Sequence, residues 1–506
     1  MARRSAISLM AVAVVGLTAC GEQAILSPSA ATAGRFPIPA PTAEPARYLV
    51  GFEGAAAIPA SVLAASGGNV VDAIPSMNVL VVDGVTNPDA LKLAQPKYIE
   101  AEFDVTVAPI ASDIPPLDQI DVVPRQDQTP WFATNVMWDM KDIHAEDGWA
   151  RTSGGFNTRA CIVDTGIDAT HQELSGRVVM RANFVTNGTA ADLDPATIFD
   201  PNGHGSHVSG TIAGAGVVVS GVAPLASVMG ARVLSTAGSG SETAIVNGIN
   251  WCVANGAHVI NMSLGGIRYK GQASYISSPI TYGAAIKNAT DNGVVVVVSA
   301  GNDNLQLPNP GLLVVPAQVA GTIIVGATGP LTKSTAPAPP AWNAFDPAQV
   351  WRGPDNKAYY SNYGEGVHVF APGGRGGAPI SEIFRTFNGA LQGGPNDNIW
   401  SLCSGQTSQA GIANTPGNVP ATVTASCLGQ TNRYIQYAGT SMAGPHVAGM
   451  AAVLYGELGG VRSVENRARV ENCIKTQTDN IGPSTTYGGG RINVQKAITA
   501  LRAGTC

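Results

Sequence analysis

The chain has 506 residues, enough for more than one domain and a large core. Apolar residues make up 45% and charged residues 13%, which excludes a disordered chain and points to a globular, glycine-rich one. A net charge of -6 and the lack of any basic run argue against nucleic acid as a partner.

At the N-terminus, Arg3 and Arg4 precede an apolar run, Ala6 to Leu17, too short to span a bilayer as a mature helix. It ends in Leu17-Thr18-Ala19-Cys20, which resembles the bacterial lipobox. Residues 1–19 are therefore expected to be a signal peptide, with Cys20 lipidated as the first mature residue and a membrane anchor for the precursor. The alternative is an ordinary signal peptide with a chance cysteine. Of the seven cysteines, six remain once Cys20 is set aside, in a compartment that permits disulfides. Cys161 sits in an apolar strand and Cys252 in an apolar helix, and both read as buried thiols. Cys403 and Cys427 bracket a polar insert, and Cys473 and Cys506 lie in the last two helical segments; local pairing is expected for each of these two sets.

Residues 20–45, rich in Ala, Pro, Ser and Thr, read as a tether. A small unit follows over residues 46–108. Tyr48 to Phe52, Asn69 to Ile74, Met77 to Val82 and Tyr98 to Val107 read as extended, and Pro59 to Ala65 and Pro88 to Ala94 as helical. The order βαββαβ is a ferredoxin-like α+β pattern. At roughly 60 residues such a unit is marginal alone. Residues 109–130, with several Pro and Asp, read as an exposed, cleavable linker. Beyond it, over residues 131–502, apolar strands alternate with helices. Strands are expected at Ala160 to Val163, Ser227 to Val233, Val259 to Ser263, Val294 to Ser299 and Ile323 to Gly326, with helices at Glu242 to Asn255 and Ile280 to Asn292. That alternation means a parallel sheet with both faces covered and right-handed crossovers. Polar inserts break it at 187–200, 331–357 and 374–430.

The chemistry is carried by four short stretches. Asp164-Thr165-Gly166 ends the first buried strand, on the side where parallel sheets place their sites. In Gly203-His204-Gly205-Ser206-His207 the first histidine is flanked by glycines at the start of an apolar helix. His204 and His207 lack the third ligand that a metal site at this spacing would need. Ser299-Ala300-Gly301-Asn302 follows a β-branched run, where Asn302 is placed either to point an amide at a developing oxyanion or to shape a turn. Gly439-Thr440-Ser441-Met442-Ala443 starts a helix with a hydroxyl in the positive end of its dipole, and Pro445 is expected in the first turn. Ser263-Leu264-Gly265 ends another strand with open backbone able to pair with an extended peptide.

Together, in the order Asp, His, Ser, these motifs resemble the subtilisin-like serine protease family over about residues 130–502. The closing Tyr487-Gly488-Gly489-Gly490-Arg491-Ile492-Asn493 is similar to that family's last turn and helix. The resemblance implies a three-layer α/β/α fold with a central, mostly parallel sheet. It implies a serine endopeptidase with Ser441 as nucleophile, His204 as base, Asp164 as its orienting acid, and Asn302 as an oxyanion donor beside the Ser441 N–H. Ser263, Leu264 and Gly265 match the family's edge for substrate strand addition. Asp168, His207 and His446 match positions outside the triad. Ser206 stands where the family usually has Thr. The unit at 46–108 is similar to the family's propeptide, an intramolecular chaperone and inhibitor. With that arrangement, cleavage in the linker would separate the peptidase from its lipid anchor. The expected partners are protein or peptide substrates, and the expected state is a monomer. No cofactor is required for the chemistry. Calcium is common in the family, and Asp192, Asp194 and Asp200 are either its ligands or acids of a solvated loop. A catalytically silent binding protein on the same fold is the alternative. An α/β-hydrolase esterase fits less well, since its elbow wants Gly two residues after the serine, where Ala443 stands.

Overall fold

In the computed structural model, the described residues are 47–107, 110–111, 137–151, 154–329, 356–374, 385–387, 390–392, 398–406 and 433–506. They all belong to one of the chain's two compact units, Gly34–Cys506. The signal peptide, the tether, Cys20, Cys427 and most of the linker and of the two long inserts lie outside them.

The strands Arg159–Asp164, Val259–Met262, Val295–Ser299 and Thr322–Gly329 are rich in Val, Ile and Ala, and nearly every residue in them is buried. Successive side chains point to opposite faces of a strand. Ala160, Ile162, Val295, Val297 and Ile323 therefore enter one core, and Cys161, Val163, Val296, Val298 and Ile324 the other. A sheet buried on both sides is the parallel kind. The main sheet has ten strands. Nine follow one another in the order Thr478–Asp479, Arg491–Ile492, Val369–Pro372, Thr322–Gly329, Val295–Ser299, Val259–Met262, Arg159–Asp164, Ser227–Arg232, Val178–Asn183. Every neighbouring pair is parallel except the first. The tenth, Asn356–Lys357, pairs antiparallel with the end of Thr322–Gly329.

One core packs under the helices His204–Ala213 and Thr440–Glu457, and the other under Glu242–Ala254 and Ala273–Asp291. This is the expected three-layer α/β/α fold. The serine helix is buried continuously from Thr440 to Tyr455. A helix apolar on all sides belongs in the middle of a body, and this one lies across five strands of the sheet. From Arg159–Asp164 the chain builds the sheet to one side, then returns to build the other side from Val259–Met262. The crevice at that reversal opens beyond the carboxyl ends of these two strands.

The N-terminal unit has four antiparallel strands in the order Asn69–Ile74, Val79–Asp83, Tyr48–Gly51, Tyr98–Ala101, with a helix at Ala60–Ser66. The expected α-helix over Pro88–Ala94 is instead a 3₁₀ helix. It lacks a side-chain cap and ends on Gln95 in the left-handed region, and short uncapped turns wind tighter. Leu49, Ile74, Val79 and Val81 join the large body's second core, so the unit leans on a neighbour for burial.

Three further expectations are corrected. Cys161 and Cys252 are joined in a disulfide, with Cα atoms 5.9 Å apart, which ties the sheet to the helix above it. An apolar environment suits a buried disulfide as well as a buried thiol, and 91 residues separate the pair in sequence. Cys473–Cys506 is present as expected. Cys403 is disulfide-bonded, and its expected partner Cys427 lies outside the described residues. The insert at 374–430 is not simply polar. Ile399–Cys403 is a fully buried strand paired with Arg433–Ala438, and it packs on the histidine helix. Pro445 falls beyond the first turn, because the helix begins at Thr440.

Candidate active site

Asp164 is the last residue of its strand and His204 the first of its helix. Both are buried. The His204 Nδ1 lies 2.8 and 3.0 Å from the two Asp164 carboxylate oxygens. The Thr165 N–H donates to Asp164 Oδ1 at 2.7 Å, so the carboxylate is held from its own loop as well. His204 Nε2 is buried and has no hydrogen-bond partner among the described residues. An acid on Nδ1 fixes the tautomer and leaves Nε2 able to accept a proton.

The approach of helix to strand end is organised by Asp200, a fully buried carboxylate four residues before His204. Its Oδ1 accepts from Thr165 Oγ1, Asn202 N and Gly203 N, and its Oδ2 from Ser206 N and Oγ, all at 2.7–3.2 Å. Burial pushes its carboxyl upward, and these donors oppose that. Thr165 Oγ1 in turn accepts from Gly205 N at 2.9 Å, and Ser206 Oγ from Asp168 N at 2.9 Å. A Cβ on Gly205 would stand 2.2 Å from the Gly166 carbonyl, so only glycine allows the contact. The sequence signal for Asp200 is an acid just ahead of the glycine-flanked histidine, a pattern that equally fits a loop acid or a calcium ligand. Asp192 is bound by Arg232, Thr189 and Thr236, and Asp194 accepts from Ala196 N. Asp192 and Asp200 each accept from several protein groups, whereas Asp194 is exposed and its carboxylate accepts from Ala196 alone among the described residues. The one group of potential metal donors found among the described residues is His144, Glu146 and Asp147, which includes none of these acids and neither site histidine.

Ser441, second residue of its helix, donates from Oγ to the Ser263 carbonyl at 3.2 Å. Ser263 Oγ donates back to the Ser441 carbonyl at 2.8 Å and accepts from Asn261 Nδ2 at 3.0 Å. Pro445 explains the first of these bonds. It has no N–H to offer the carbonyl four residues earlier, so the Ser441 carbonyl is open to another donor. Asn302 Oδ1 accepts from Thr440 N at 2.9 Å and Thr440 Oγ1 at 2.8 Å. That fixes the amide with its oxygen on the helix start. A Cβ on Gly439 would lie 3.4 Å from Asn302 Nδ2, which puts the amide nitrogen beside the residue two before Ser441.

His207 and His446 are placed elsewhere. His207 stacks on Tyr437 at 4.6 Å and its Nε2 meets the Ile399 carbonyl at 3.0 Å. Burial, then the neighbouring His204, pushes it down to about 3, so it stays neutral. His446 ties the serine helix to Asp139 through Nε2 at 3.1 Å. Asp168 accepts from Thr170 and Gly405 and shapes a loop.

The edge at Ser263–Gly265 is in contact with the chain's own N-terminal segment. Thr106 bridges antiparallel to Gly265, and Asp104–Thr106 pairs with Ser239–Ser241 on the other side. Val107 N donates to the Gly238 carbonyl at 2.9 Å. The strand at 104–106 thus fills a channel with a backbone on each flank. The second flank, Gly238 to Ser241, was not read from the sequence, where it looks like a small-residue turn. Farther along, Ile110–Ala111 pairs with Tyr437–Ala438, just ahead of Ser441.

The sequence profile of the subtilase family matches residues 155–490. The chain belongs to the subtilase family. It is similar to thermitase of Thermoactinomyces vulgaris, 30% identical over 373 residues, which are 73% of this chain and 98% of that one. Subtilisin Savinase of Lederbergia lenta is 29% identical over 367 residues, 72% and 99% of the two chains. The fold also matches the crystal structure of the epidermin leader peptide processing serine protease from Staphylococcus aureus, with a TM-score of 0.61 and 20% identity over 90% of this chain and 98% of that one. This subtilase is accordingly a subtilisin-like serine protease. Among its described residues no helix is long and apolar enough to cross a membrane.

Proposed function

We propose that this subtilase is an exported endopeptidase that cleaves peptide bonds through an acyl-enzyme on Ser441. The observation that carries the reading is the buried His204, braced on both oxygens of Asp164 while its Nε2 has no partner among the described residues. Ser441 Oγ turns from the Ser263 carbonyl to His204 as a substrate enters. His204 takes its proton on attack and returns it to the leaving amine; Asp164 holds the tautomer and stabilises the imidazolium. Asn302, its oxygen tied to Thr440, presents Nδ2 to the oxyanion beside the Ser441 N–H, where loss of one donor costs roughly a hundredfold to a thousandfold in turnover.

Substrate adds as a strand between Gly238–Ser241 and Ser263–Gly265, and the N-terminal unit blocks that channel with residues 104–107 until the chain cuts itself in the linker. The pairing of Asp104–Thr106 supports this reading. Signal cleavage ahead of Cys20 and its lipidation precede that step, so self-cleavage releases the peptidase from its anchor. A fluorophosphonate probe should label wild-type protein and not Ser441→Ala. N-terminal sequencing should find the wild type cut within residues 108–130 and the variant uncut there. Equal labelling of both, or equal processing, sinks the proposal.

A further inference from the structure

Arg268 is an arginine kept 4% exposed at the wall of the substrate channel, and the hydrolytic machinery makes no use of it. Each nitrogen of its guanidinium makes a hydrogen bond. Nη2 donates to Glu242 Oε1 at 2.9 Å, Nε to Ser278 Oγ at 3.1 Å and Nη1 to the Ile267 carbonyl at 3.3 Å. Three bonds to three separate partners fix the plane of the guanidinium and so the direction of its flat face, and a guanidinium face stacks on aromatic rings. That is what the channel's present occupant exploits, since Cζ of Arg268 lies 4.7 Å from the centroid of the Phe103 ring. Phe103, just ahead of the strand, also packs on the N-terminal unit's own core, the buried Val105 enters the large body's second core, and Asp104 and Thr106 are exposed. Gly266 keeps the wall open, because a Cβ there would stand 3.0 Å from Arg268 Nη1 and 3.7 Å from Val105.

We infer that Arg268, held edge-on by Glu242 and Ser278, forms a subsite that selects an aromatic side chain on the substrate, three residues before the one that bridges to Gly265. The inference rests on the proposal that substrate adopts the path of residues 103–107. It assigns the preference to the π-face of the ring and not to apolar bulk alone, since the partner is a desolvated cation and not an aliphatic wall.

The test uses the processed enzyme turning over a short tyrosine ester, with peptides copying Glu102–Val107 as competitive inhibitors. The Phe103 position carries phenylalanine or cyclohexylalanine, which has the same bulk and no π-face. In the wild type the phenylalanine peptide should inhibit about three- to tenfold more tightly. In Arg268→Lys, which keeps the charge and loses the planar face, the ratio should fall to near one. Equal inhibition by the two peptides in the wild type overturns the inference whatever the variant's folding. So does a preference that survives in Arg268→Lys. Esterase activity that is present in wild type and absent in Ser441→Ala upholds the underlying reading in either case. A wild type that leaves the ester intact overturns both.

Discussion

The molecule buries two sets of carboxylates, and it treats them differently. Behind the histidine lie Asp164, Asp200 and Glu173, each surrounded by donors from the body it belongs to. Glu173 alone accepts from the N–H groups of Gly216, Val217, Val218 and Val219 and from the Tyr434 hydroxyl, at 2.6–3.0 Å. Under the N-terminal unit lie Glu100, Glu102 and Glu242, and here donors run short. Thr281 Oγ1 meets one oxygen of Glu100, Thr243 and Arg47 serve Glu102, and Arg268 and Ser278 share one oxygen of Glu242. Glu100 Oε1 and Glu242 Oε2 are buried without a partner among the described residues. A buried charge is tolerable only when it is paired and bonded. Burial raises Asp200 and Glu173 in the first set and Glu100 and Glu242 in the second, but the first two are held in place by several donors each and the second two are not. The second set also spans two segments, the N-terminal unit and the large body, which on the proposed reading separate after self-cleavage. Exchanging carboxyls for their amides in both sets tests the contrast, because the shape is kept and only the donor pattern and charge change.

The largest effect belongs to Asp164→Asn. The amide would offer an N–H where His204 Nδ1 now donates, so the ring would favour the other tautomer and Nε2 would no longer accept the Ser441 proton. In a relay of this geometry such an exchange lowers turnover about ten-thousandfold. Steady-state kinetics on a peptide should show the loss in kcat with KM little changed. A fall of less than tenfold would mean that Asp164 does not set the tautomer.

Glu173→Gln comes next, and it is read in stability. An amide nitrogen would face two of the loop N–H groups and leave them buried without acceptors, at about 1–3 kcal/mol each. Unfolding in urea, measured in a Ser441→Ala background to prevent self-digestion, should show a loss of about 2–5 kcal/mol. A change under about 0.5 kcal/mol, the usual size of a surface exchange, would show that the loop finds other acceptors.

How far the sequence revealed these places follows from what each residue depends on. Asp164, His204 and Ser441 stand at ends of strands and helices, flanked by glycines, so local pattern exposes them. The parallel sheet was legible for the same reason in Val294 to Ser299 and Val259 to Ser263, whose β-branched runs admit little else. Asp200 and Glu173 were not legible as organisers, because their donors come from loops that only the folded chain brings together. Glu173 and the Val217–Val219 loop are more than forty residues apart. Ile399–Cys403, five residues long, was hidden inside a polar insert that holds twenty Gly, Asn and Ser residues. Val178–Asn183 was missed because an edge strand with exposed Val179 and Met180 lacks a buried face to give it a pattern.

The smallest effect is at the joint, and it is a dependence on pH. Glu100 faces Thr281, Tyr98, Glu242 and Arg268; burial raises its carboxyl well above the ordinary range, the Glu242 charge adds to that, and Thr281 and Arg268 only partly oppose it. Burial likewise raises Glu242, against Arg268 and Ser278. Once the unit leaves, Glu100 returns to water and to its ordinary value. A group whose value is higher docked than free favours docking fully below the free value, and loses that contribution as pH rises through the docked one. The N-terminal segment should therefore stay bound to the cut protein in mild acid and leave as the solution becomes alkaline. Each such group changes the dissociation constant by at most about tenfold per pH unit in that window. Size exclusion of the cut complex across the neutral range reads this directly. Glu100→Gln, which cannot ionise and keeps a group for the Thr281 hydroxyl, should flatten the curve and hold the segment at alkaline pH. A curve unchanged by that substitution would put the joint's pH response elsewhere, and binding that strengthens with pH would reverse the contrast between the two sets.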